Sequence, residues 1–313
     1  MENPICEELL VYQLTRMEDE NLYLWYIVNC VFNAFLIISA IIFNSVTIQA
    51  LRKTSSLPQP LKTLLLNLAV SDLGVGLLVE PFYFGLLVKW LQRDNSTDAT
   101  CTSFLVISCL FTAASFLGVM VLSTDRFLAV HLHLRYQELM THKWAVAVVI
   151  SIWVFSAFVS LVFVYANISN VVISVIGVVC LLITAALYFK IYKAVRRHRN
   201  QIQALQVQQV AQNGQTANAA RFRKSAVGVF YVYLVFWLCY VPQFCNFAVF
   251  VISSITTGVK VFAITSTTLL FLNSTLNPVI YCWKMRRIRR AVLDILQHAY
   301  PSLRKASVNN SRS

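Results

Sequence analysis

The chain has 313 residues, of which 58% are hydrophobic and 12% charged, and its mean hydropathy is +0.65. A soluble domain carries roughly a quarter charged residues, so this composition excludes a water-soluble globule. The formal net charge of +13 would suggest nucleic acid if one folded face were basic, but the basic residues lie in short gaps between apolar runs, which excludes that partner.

Three apolar segments in the first part of the chain are long enough to cross a bilayer, which needs about 20 residues of helix. Residues 21–51 and 99–124 are uncharged, whereas residues 61–88 contain Asp72 and Glu80. We therefore expect three membrane-spanning helices in this part of the chain.

The next uncharged run has 46 residues, 144–189, and as one helix it would measure about 70 Å, more than twice the bilayer core. It must therefore contain two spans, and residues 167–170 supply the only polar turn. Residues 225–259 and 261–283 add two more spans. The sequence thus predicts an all-α membrane protein, a seven-transmembrane helix bundle.

The distribution of lysine and arginine predicts the orientation, because short cytosolic loops are enriched in them. Four fall on the amino-terminal side of the spans (Arg16, Lys89, Arg93 and Lys260) and the other 22 on the opposite side. We therefore expect a multi-pass plasma-membrane protein with an extracellular amino terminus. No basic region typical of a signal peptide precedes the first span, so that span is expected to act as an uncleaved signal.

The chain divides accordingly into four parts. Residues 1–22 form an extracellular acidic segment, and residues 23–283 form the seven-span domain, whose third cytosolic loop, about 197–222, is rich in glutamine. Residues 284–299 form an amphipathic helix whose basic face is attracted to anionic membrane lipids. Residues 300–313 form a cytosolic tail.

Two sequons and two cysteines fall in the extracellular parts of this topology. Asn95 and Asn167 each begin an Asn-X-Ser/Thr sequence and are candidates for glycosylation. Cys6 and Cys101 lie in an oxidising compartment, where they are candidates for a disulfide. The other six cysteines lie within spans, as small apolar packing residues.

Ionisable residues inside a membrane are costly and mark functional sites. Asp72 is central in the second span, and these amides and hydroxyls lie at comparable depth: Asn44, Ser115, Asn273, Ser274 and Asn277. The set suits a small hard cation, or equally a polar network that keeps Asp72 protonated. Glu80, near the outer end of the span, is expected to reach water, and a cationic ligand group is the alternative.

No constellation typical of an enzyme is present in the sequence. The five histidines all fall in predicted cytosolic parts, and none is placed to pair with a buried nucleophile or a metal-spaced carboxylate. No glycine-rich phosphate loop occurs. We therefore expect no enzymatic activity and no cofactor other than a bound cation.

These features resemble the rhodopsin-like (class A) family of G-protein-coupled receptors over residues 22–298. The motifs that carry the resemblance occur in the family's order: Asn44, Asn67-Leu68-Ala69-Val70-Ser71-Asp72-Leu73, Cys101, Asp125-Arg126-Phe127, Trp153, Cys239-Tyr240-Val241-Pro242 and Asn277-Pro278-Val279-Ile280-Tyr281. The resemblance implies a receptor that passes an extracellular ligand signal to a heterotrimeric G protein.

The resemblance also implies roles for individual residues. An allosteric sodium pocket would be lined by Asp72, Ser115, Asn273, Ser274 and Asn277. Coupling and activation would use Asp125, Arg126, Phe127, Tyr188, Tyr240, Pro242, Asn277, Pro278 and Tyr281. Pro242 removes a helical hydrogen bond and so provides a hinge in the sixth span.

Some residues depart from the family pattern. Tyr240 stands where relatives have tryptophan and Phe127 where they have tyrosine, and residues 221–224 are Arg-Phe-Arg-Lys where many relatives place an acid that pairs with Arg126. Because that pairing cannot form, we expect signalling without ligand. The second extracellular loop lacks a cysteine, which resembles the melanocortin, cannabinoid and lysophospholipid branch, with adenosine receptors nearby.

By the same mapping the ligand would contact Glu80, Phe104, Ser108, Cys109, Thr112, Tyr240, Gln243, Phe244, Phe247, Thr267 and Phe271. Ser108 stands where aminergic receptors carry aspartate and Phe271 where opsins carry lysine, so amines and retinal are disfavoured. An aromatic cavity with few polar groups favours a lipid or another apolar small molecule. A basic peptide, attracted by the acidic amino terminus, ranks second.

Two other functions and two further partners complete the sequence-based hypotheses. A seven-helix ion or proton transporter would need ionisable groups between Asp72 and the cytosol, and the sequence offers none before Arg126. A decoy receptor that does not couple would not need the intact G-protein-facing residues. In the tail, residues 304–307 read Arg-Lys-Ala-Ser, similar to a kinase site, so receptor kinases and arrestin are expected partners.

Overall fold

The computed structural model describes residues 20–55, 57–93, 98–132, 136, 139–165, 172, 175–186, 189–190, 193, 234–246, 249 and 256–299. Five of the candidate site residues lie outside these ranges: Cys6, Asn95, Asn167, Tyr188 and Phe247. The glutamine-rich loop, residues 221–224 and the cytosolic tail also lie outside them.

The described helices follow the apolar runs of the sequence. In chain order they are α1 (Glu20–Lys53), α2 (Gln59–Gln92), α3 (Asp98–Leu132), α4 (His142–Tyr165), α5 (Val175–Ala186), α6 (Leu234–Asn246), α7 (Thr257–Lys284) and α8 (Arg286–Ala299). Helices α1 to α4 and α7 are each long and apolar enough to cross a membrane, and α5 and α6 are shorter apolar helices. The prediction of an all-helical, multi-span protein is confirmed.

Helix α2 is irregular at its centre. It runs as α-helix over Gln59–Gly74, as one π-helical turn over Val75–Val79, and as α-helix again over Glu80–Gln92. The backbone N–H of Glu80 donates to the carbonyl of Val75, five residues back. Pro81 has no N–H to donate, so the regular ladder is interrupted at the same point. The wider turn changes the rotation of the outer half of α2 relative to its inner half, and single π turns of this kind often lie at functional sites.

Contacts between α1, α2, α3, α4 and α7 position the polar residues. Helix α1 packs against α2, α7 and α8, and α3 packs against α2 and α4, which also contact each other. Amide side chains bridge two of these contacts: Asn44 Nδ2 donates to the carbonyl of Ser274 at 2.9 Å, and Trp153 Nε1 donates to Asn67 Oδ1 at 2.9 Å. Polar groups that face away from water need such partners, so these bonds favour one mutual rotation of the helices.

The apolar core lies in two layers along the bundle. An outer cluster contains Tyr26, Tyr83, Phe104 and Phe271. An inner cluster, nearer the predicted cytosolic side, contains Leu65, Phe236, Tyr240, Tyr281 and Ile288. Large side chains on the outside of the described helices, such as Ile38, Phe158 and Leu182, are exposed, as lipid contact requires.

Helix α8 follows α7 after a single non-helical residue, Met285. Met285 and Ile288 are buried against the inner cluster, whereas Arg286, Arg289 and Arg290 are exposed. The helix therefore has one apolar and one basic face, which is the arrangement that the sequence predicts for a helix at the membrane surface.

Candidate functional site

Asp72 is fully buried on α2, three residues before the π turn begins at Val75, and three helices meet at its carboxylate. Ser115 of α3 donates from Oγ to Asp72 Oδ1 at 3.1 Å, and Asn277 of α7 donates from Nδ2 to Asp72 Oδ2 at 2.8 Å. The side chain of Ser274 is a third hydrogen-bonding neighbour. Residues far apart in the sequence therefore meet at one buried carboxyl group.

Neutral oxygens with unused acceptor capacity occur among the polar residues grouped with Asp72. Within the described residues, Oδ1 of Asn44, of Asn273 and of Asn277 is buried and has no hydrogen-bond partner. The amides of Asn44 and Asn277 cannot simply be exchanged end for end, because Nδ2 of each already donates a hydrogen bond. One carboxylate with neutral oxygens matches the ligand preference of a small hard cation, so the residues present fit sodium. Asn273 is buried but makes no described bond to Asp72.

Arg126, at the predicted cytosolic end of α3, is almost fully buried with an exposed fraction of 3%. Its Nε donates to Asp125 Oδ2 at 2.9 Å, and its Nη2 forms an ion pair with the same oxygen. Nη2 also donates to the hydroxyl of Tyr136 at 3.2 Å, and that hydroxyl donates to Asp125 Oδ1 at 2.6 Å. The three side chains form a closed triangle that covers the guanidinium.

Sequence reasoning identified Asp125 and Arg126 but missed Tyr136. The only signal was a tyrosine ten residues after Arg126 in a short loop, which carries no distinctive pattern. Burial raises the pKa of Tyr136 well above its ordinary value, so its hydroxyl keeps the proton that it donates to Asp125. Residues 221–224 lie outside the described residues, and within the described ones Tyr136 is a second side-chain partner of Arg126.

The other residues expected to act in coupling lie around the inner cluster. Tyr281 and Pro278 are buried on α7, and Phe127 packs against the cluster from α3. Pro242 is partly buried on α6. Tyr188 lies outside the described residues.

The aromatic residues that were expected to contact the ligand lie in two separate groups. In the outer group, Tyr83 stacks on Phe104 with ring centroids 6.1 Å apart and meets the edge of Phe271 at 5.2 Å. In the inner group, Tyr240 lies 4.1 Å from Phe236 and 6.3 Å from Phe244, again between ring centroids. The structure brings each group together but assigns the two groups to different core layers.

Polar side chains accompany the inner aromatic group. The Tyr240 hydroxyl donates to the carbonyl of Thr112 at 3.5 Å, which connects α6 to α3. Gln243 Oε1 accepts from Thr267 Oγ1 at 3.3 Å and from Ser266 Oγ at 3.1 Å. Ser266 was not identified from the sequence, because serines in apolar spans are common and only the rotation of α7 brings this one to Gln243.

Cys109 and Ser108 were also expected to contact the ligand. Cys109 packs against Phe163 and Val164 of α4, so its side chain faces the α3–α4 contact. Ser108 is partly buried.

The expectation that Glu80 reaches water is wrong. Its side chain is fully buried, with neither carboxylate oxygen exposed. The physical reason is its position on α2: a Cβ at Gly76, one turn earlier, would lie 2.9 Å from Ala40 of α1, so this face of α2 points into the bundle.

Cys101 is disulfide-bonded. The other cysteines in the described part of the chain, which include Cys109 and Cys239, are all free.

Comparison with known proteins gives consistent results. The model of the 7 transmembrane receptor (rhodopsin family) matches residues 43–172 and 162–281. Melanocortin receptor 5 of Bos taurus is 26% identical over 267 residues, which cover 81% of this chain and 79% of that receptor. The alpha-2B adrenergic receptor of Didelphis virginiana is 30% identical over 129 residues, 41% of this chain and 33% of the relative. The chain thus matches about a third of the adrenergic receptor's length.

Proposed function

Because the chain belongs to the rhodopsin family of seven-transmembrane receptors, we propose that it carries an extracellular ligand signal across the plasma membrane to heterotrimeric G proteins. The observation that supports this most directly is the Asp125–Arg126–Tyr136 triangle. Asp125 and Tyr136 hold the buried side chain of Arg126, and a movement of the helices can free that side chain from both partners together. The family is one of receptors and not of enzymes, in agreement with the sequence analysis.

The proposed cycle begins with Arg126 closed off by Asp125 and Tyr136. Outward movement of α6 about Pro242 would open the inner cluster, where Tyr281 and Phe127 lie. Arg126 would then turn from Asp125 toward the entering helix of a G protein. Asn277 and Pro278 permit the accompanying change in α7, because a proline inside a helix removes one backbone hydrogen bond.

Sodium is the proposed allosteric ion of this receptor. Asp72, Ser115, Asn273, Ser274 and Asn277 would hold it, and the ion would supply a positive charge that offsets the buried carboxylate. A conformation that collapses this group of residues would lose the ion, so sodium would favour the closed arrangement of Arg126.

The proposed ligand is a lipid or another apolar small molecule, and a peptide ranks second. Tyr83, Phe104 and Phe271 offer an apolar aromatic surface, and Gln243 with Thr267 offers a few hydrogen-bonding groups. Burial of Glu80 removes this carboxyl group from the surface that a basic peptide would touch. We place the receptor loosely among the melanocortin, cannabinoid, lysophospholipid and adenosine branch.

Several features outside the described residues belong to this proposal. Cys6 is the proposed partner of Cys101, since the chain has eight cysteines and the other six are free. The proposal also includes glycans at Asn95 and Asn167 and an extracellular amino terminus. Receptor kinases would phosphorylate the cytosolic tail, and the phosphorylated tail would recruit arrestin. Mass spectrometry of the purified chain, with and without reduction and deglycosylation, tests the first two.

The function is tested by basal signalling in cells that express the full chain. Cyclic AMP, calcium and direct G-protein activation are measured for the wild type, for Arg126→Ala, and for Arg52→Ala as a control at the exposed cytosolic end of α1. Surface levels are matched. A wild-type signal that Arg126→Ala abolishes and Arg52→Ala retains supports the proposal.

A transporter or a decoy gives different results in the same cells. Ion or proton flux that survives Arg126→Ala, with no G-protein activation, would favour transport through the bundle. A wild type that activates no G protein in any readout, with or without lipid and peptide libraries, would favour a decoy.

A further inference from the structure

Helix α8 begins with a dense group of arginines that the proposed coupling cycle does not use. Arg286, Arg289 and Arg290 are exposed and stand at spacing i, i+3 and i+4, so their side chains are neighbours on one face of the helix. Within the described residues none of these three forms an ion pair with a carboxylate. We refer to them below as the α8 arginines.

The opposite face of α8 is anchored to the bundle. Met285 and Ile288 are buried in the inner cluster, and Val292 packs against it. The helix contacts both α1 and α7. The α8 arginines therefore stand on a fixed support, whereas basic residues in a flexible tail do not. Because a supported side chain loses less freedom on binding, this arrangement favours a specific site over diffuse attraction.

Residues at the end of α7 place the α8 arginines at the level of the lipid headgroups. Trp283 is 63% exposed, and Lys284 Nζ lies 3.4 Å from the centroid of its ring. Tryptophan is enriched at the boundary between membrane and water, and lysine extends its charge to that level. Arg289 interacts electrostatically with the thiol of Cys282, so its guanidinium lies beside the last turn of a membrane-spanning helix.

Acids do not offset the positive charge of this surface. Two carboxylates among the described residues lie on the predicted cytosolic side, Asp125 and Asp294. Asp125 is committed to the triangle with Arg126. Asp294 stands one turn after Arg290 and is the one acid of a helix that carries four arginines. The start of α8 therefore keeps a net positive charge and attracts anions.

Arginine is especially suited to phosphate, because its planar guanidinium donates two parallel hydrogen bonds to phosphate oxygens. A phosphomonoester carries a charge of about −1.5 to −2 at neutral pH and offers three acceptor oxygens. Three neighbouring arginines match a headgroup that bears more than one such phosphate. Basic clusters on an amphipathic helix at the cytoplasmic leaflet are typical of this kind of recognition.

An apolar side chain beside the arginines favours a lipid over a soluble phosphate. Leu293 is 47% exposed and follows Arg289 and Arg290 by one turn, on the same face of α8. Such a side chain gains nothing from a hydrated anion. It gains apolar contact where a headgroup joins its acyl chains.

We propose that Arg286, Arg289 and Arg290 form a binding site for the headgroup of a polyphosphoinositide in the cytoplasmic leaflet. The site takes one lipid and discriminates among anionic headgroups, which a general attraction of α8 to negative charge does not do. It does not depend on the proposed signalling function. Because α8 is anchored through Ile288 to the cluster that contains Tyr281, bound lipid would stabilise the contact of α8 with the bundle.

The experiment titrates the purified full chain in detergent micelles with phosphatidylinositol bisphosphate or with phosphatidylserine, and native mass spectrometry counts the bound lipids. The wild type is compared with the triple variant Arg286→Gln/Arg289→Gln/Arg290→Gln. The matched control is Lys143→Gln/Lys190→Gln/Lys193→Gln, which removes the same charge from exposed positions away from α8. We expect one tightly bound phosphoinositide in the wild type and the control, and an affinity lower by about a hundredfold in the arginine variant.

A second variant separates phosphate recognition from charge alone and does not rely on the stability of the first. Arg286→Lys/Arg289→Lys/Arg290→Lys keeps all three charges but removes the paired hydrogen bonds of the guanidinium. We expect its phosphoinositide affinity to fall about tenfold. Its thermal midpoint in phosphatidylcholine nanodiscs should equal that of the wild type, because the three side chains are exposed.

Three results would overturn the proposal. Equal affinity for phosphatidylserine and the phosphoinositide at matched total charge would leave only general attraction, as would equal losses in the arginine variant and the lysine control. Soluble inositol trisphosphate that binds as tightly as the lipid would exclude a lipid-specific site. A wild type that activates no G protein would leave these binding results unchanged, so the two proposals fail separately.

Discussion

The hydroxyl of Tyr136 donates a 2.6 Å hydrogen bond to Oδ1 of Asp125. This bond joins the loop after α3 to the acid that neutralises Arg126, so the loop and the helix end hold the guanidinium together. Arg126 can therefore leave Asp125 only if Tyr136 moves away, or if Asp125 loses its contacts with both Arg126 and Tyr136.

Replacement of Tyr136 tests this closure. Tyr136→Phe removes the hydroxyl and leaves the ring, and a hydrogen bond of about 1 kcal/mol shifts a two-state equilibrium about fivefold. We expect basal G-protein activation to rise by about that factor at matched surface levels. The raised pKa of Tyr136 keeps the hydroxyl protonated, so the difference should be the same at roughly pH 6 and roughly pH 9.

Tyr165→Phe, at the exposed end of α4, is the matched control and should leave basal activation unchanged. An equal basal signal in Tyr136→Phe and the wild type would mean that the triangle does not restrain Arg126.

Loss of one ligand of the Asp72 carboxylate should weaken the response to sodium. Ser115→Ala removes the 3.1 Å bond to Asp72 and leaves a buried acceptor with one donor fewer, at a cost of about 1.5–3 kcal/mol for a charged acceptor. We expect a lower thermal midpoint and a smaller rise of that midpoint with sodium. Ser151→Ala is the control, because its hydroxyl is exposed and bonds only within α4. The same sodium titration for both variants would contradict the role of Ser115.

The inner half of α2 ends at a glycine that has no room for a side chain. A Cβ at Gly74 would overlap the ring of Phe111, which itself meets Trp153 at 5.7 Å between centroids. Gly74→Ala must displace that ring, and overpacking of this kind costs about 1–3 kcal/mol. We expect a fall of several degrees in the thermal midpoint.

Gly85 provides the control for that substitution. A Cβ at Gly85 meets no atom within 4 Å, so Gly85→Ala should be neutral or stabilising, by up to about 1 kcal/mol, because alanine is the better helix former. The double variant Gly74→Ala/Phe111→Leu should recover part of the loss. A midpoint of Gly74→Ala at or above that of the wild type would show that Phe111 can move freely.

Thr268 makes two hydrogen bonds across the outer contact of α1 with α7. Thr268 Oγ1 donates to Asn29 Oδ1 at 3.0 Å and accepts from Asn33 Nδ2 at 3.1 Å. Thr268→Val keeps the shape but leaves buried amide groups without these partners, which costs about 1–3 kcal/mol. We expect a lower thermal midpoint. Thr265→Val should cost less, because Thr265 is only partly buried and its contact with Trp25 is exposed; equal losses would contradict this.

The sequence by itself determined the helical spans and the grouping at Asp72. An uncharged run of about 20 residues has one stable conformation in a bilayer, because every backbone polar group must bond within the helix. The grouping of Asp72 with Ser115 and Asn277 followed from matched motifs and depth. Within the described residues the apolar runs are helices, five of them long enough to cross a membrane, and Ser115 and Asn277 both donate hydrogen bonds to Asp72.

Three features were decided only by the tertiary structure. They are the burial of Glu80, the hydrogen bond between Gln243 and Ser266, and the contact of Tyr136 with Arg126. Each depends on the rotation of a helix or the path of a loop relative to residues far away in the sequence. For Glu80 the π turn of α2 adds a change of rotation that hydropathy does not encode. Apolar length sets where a helix lies along the membrane normal, but packing against its neighbours sets which way each side chain faces.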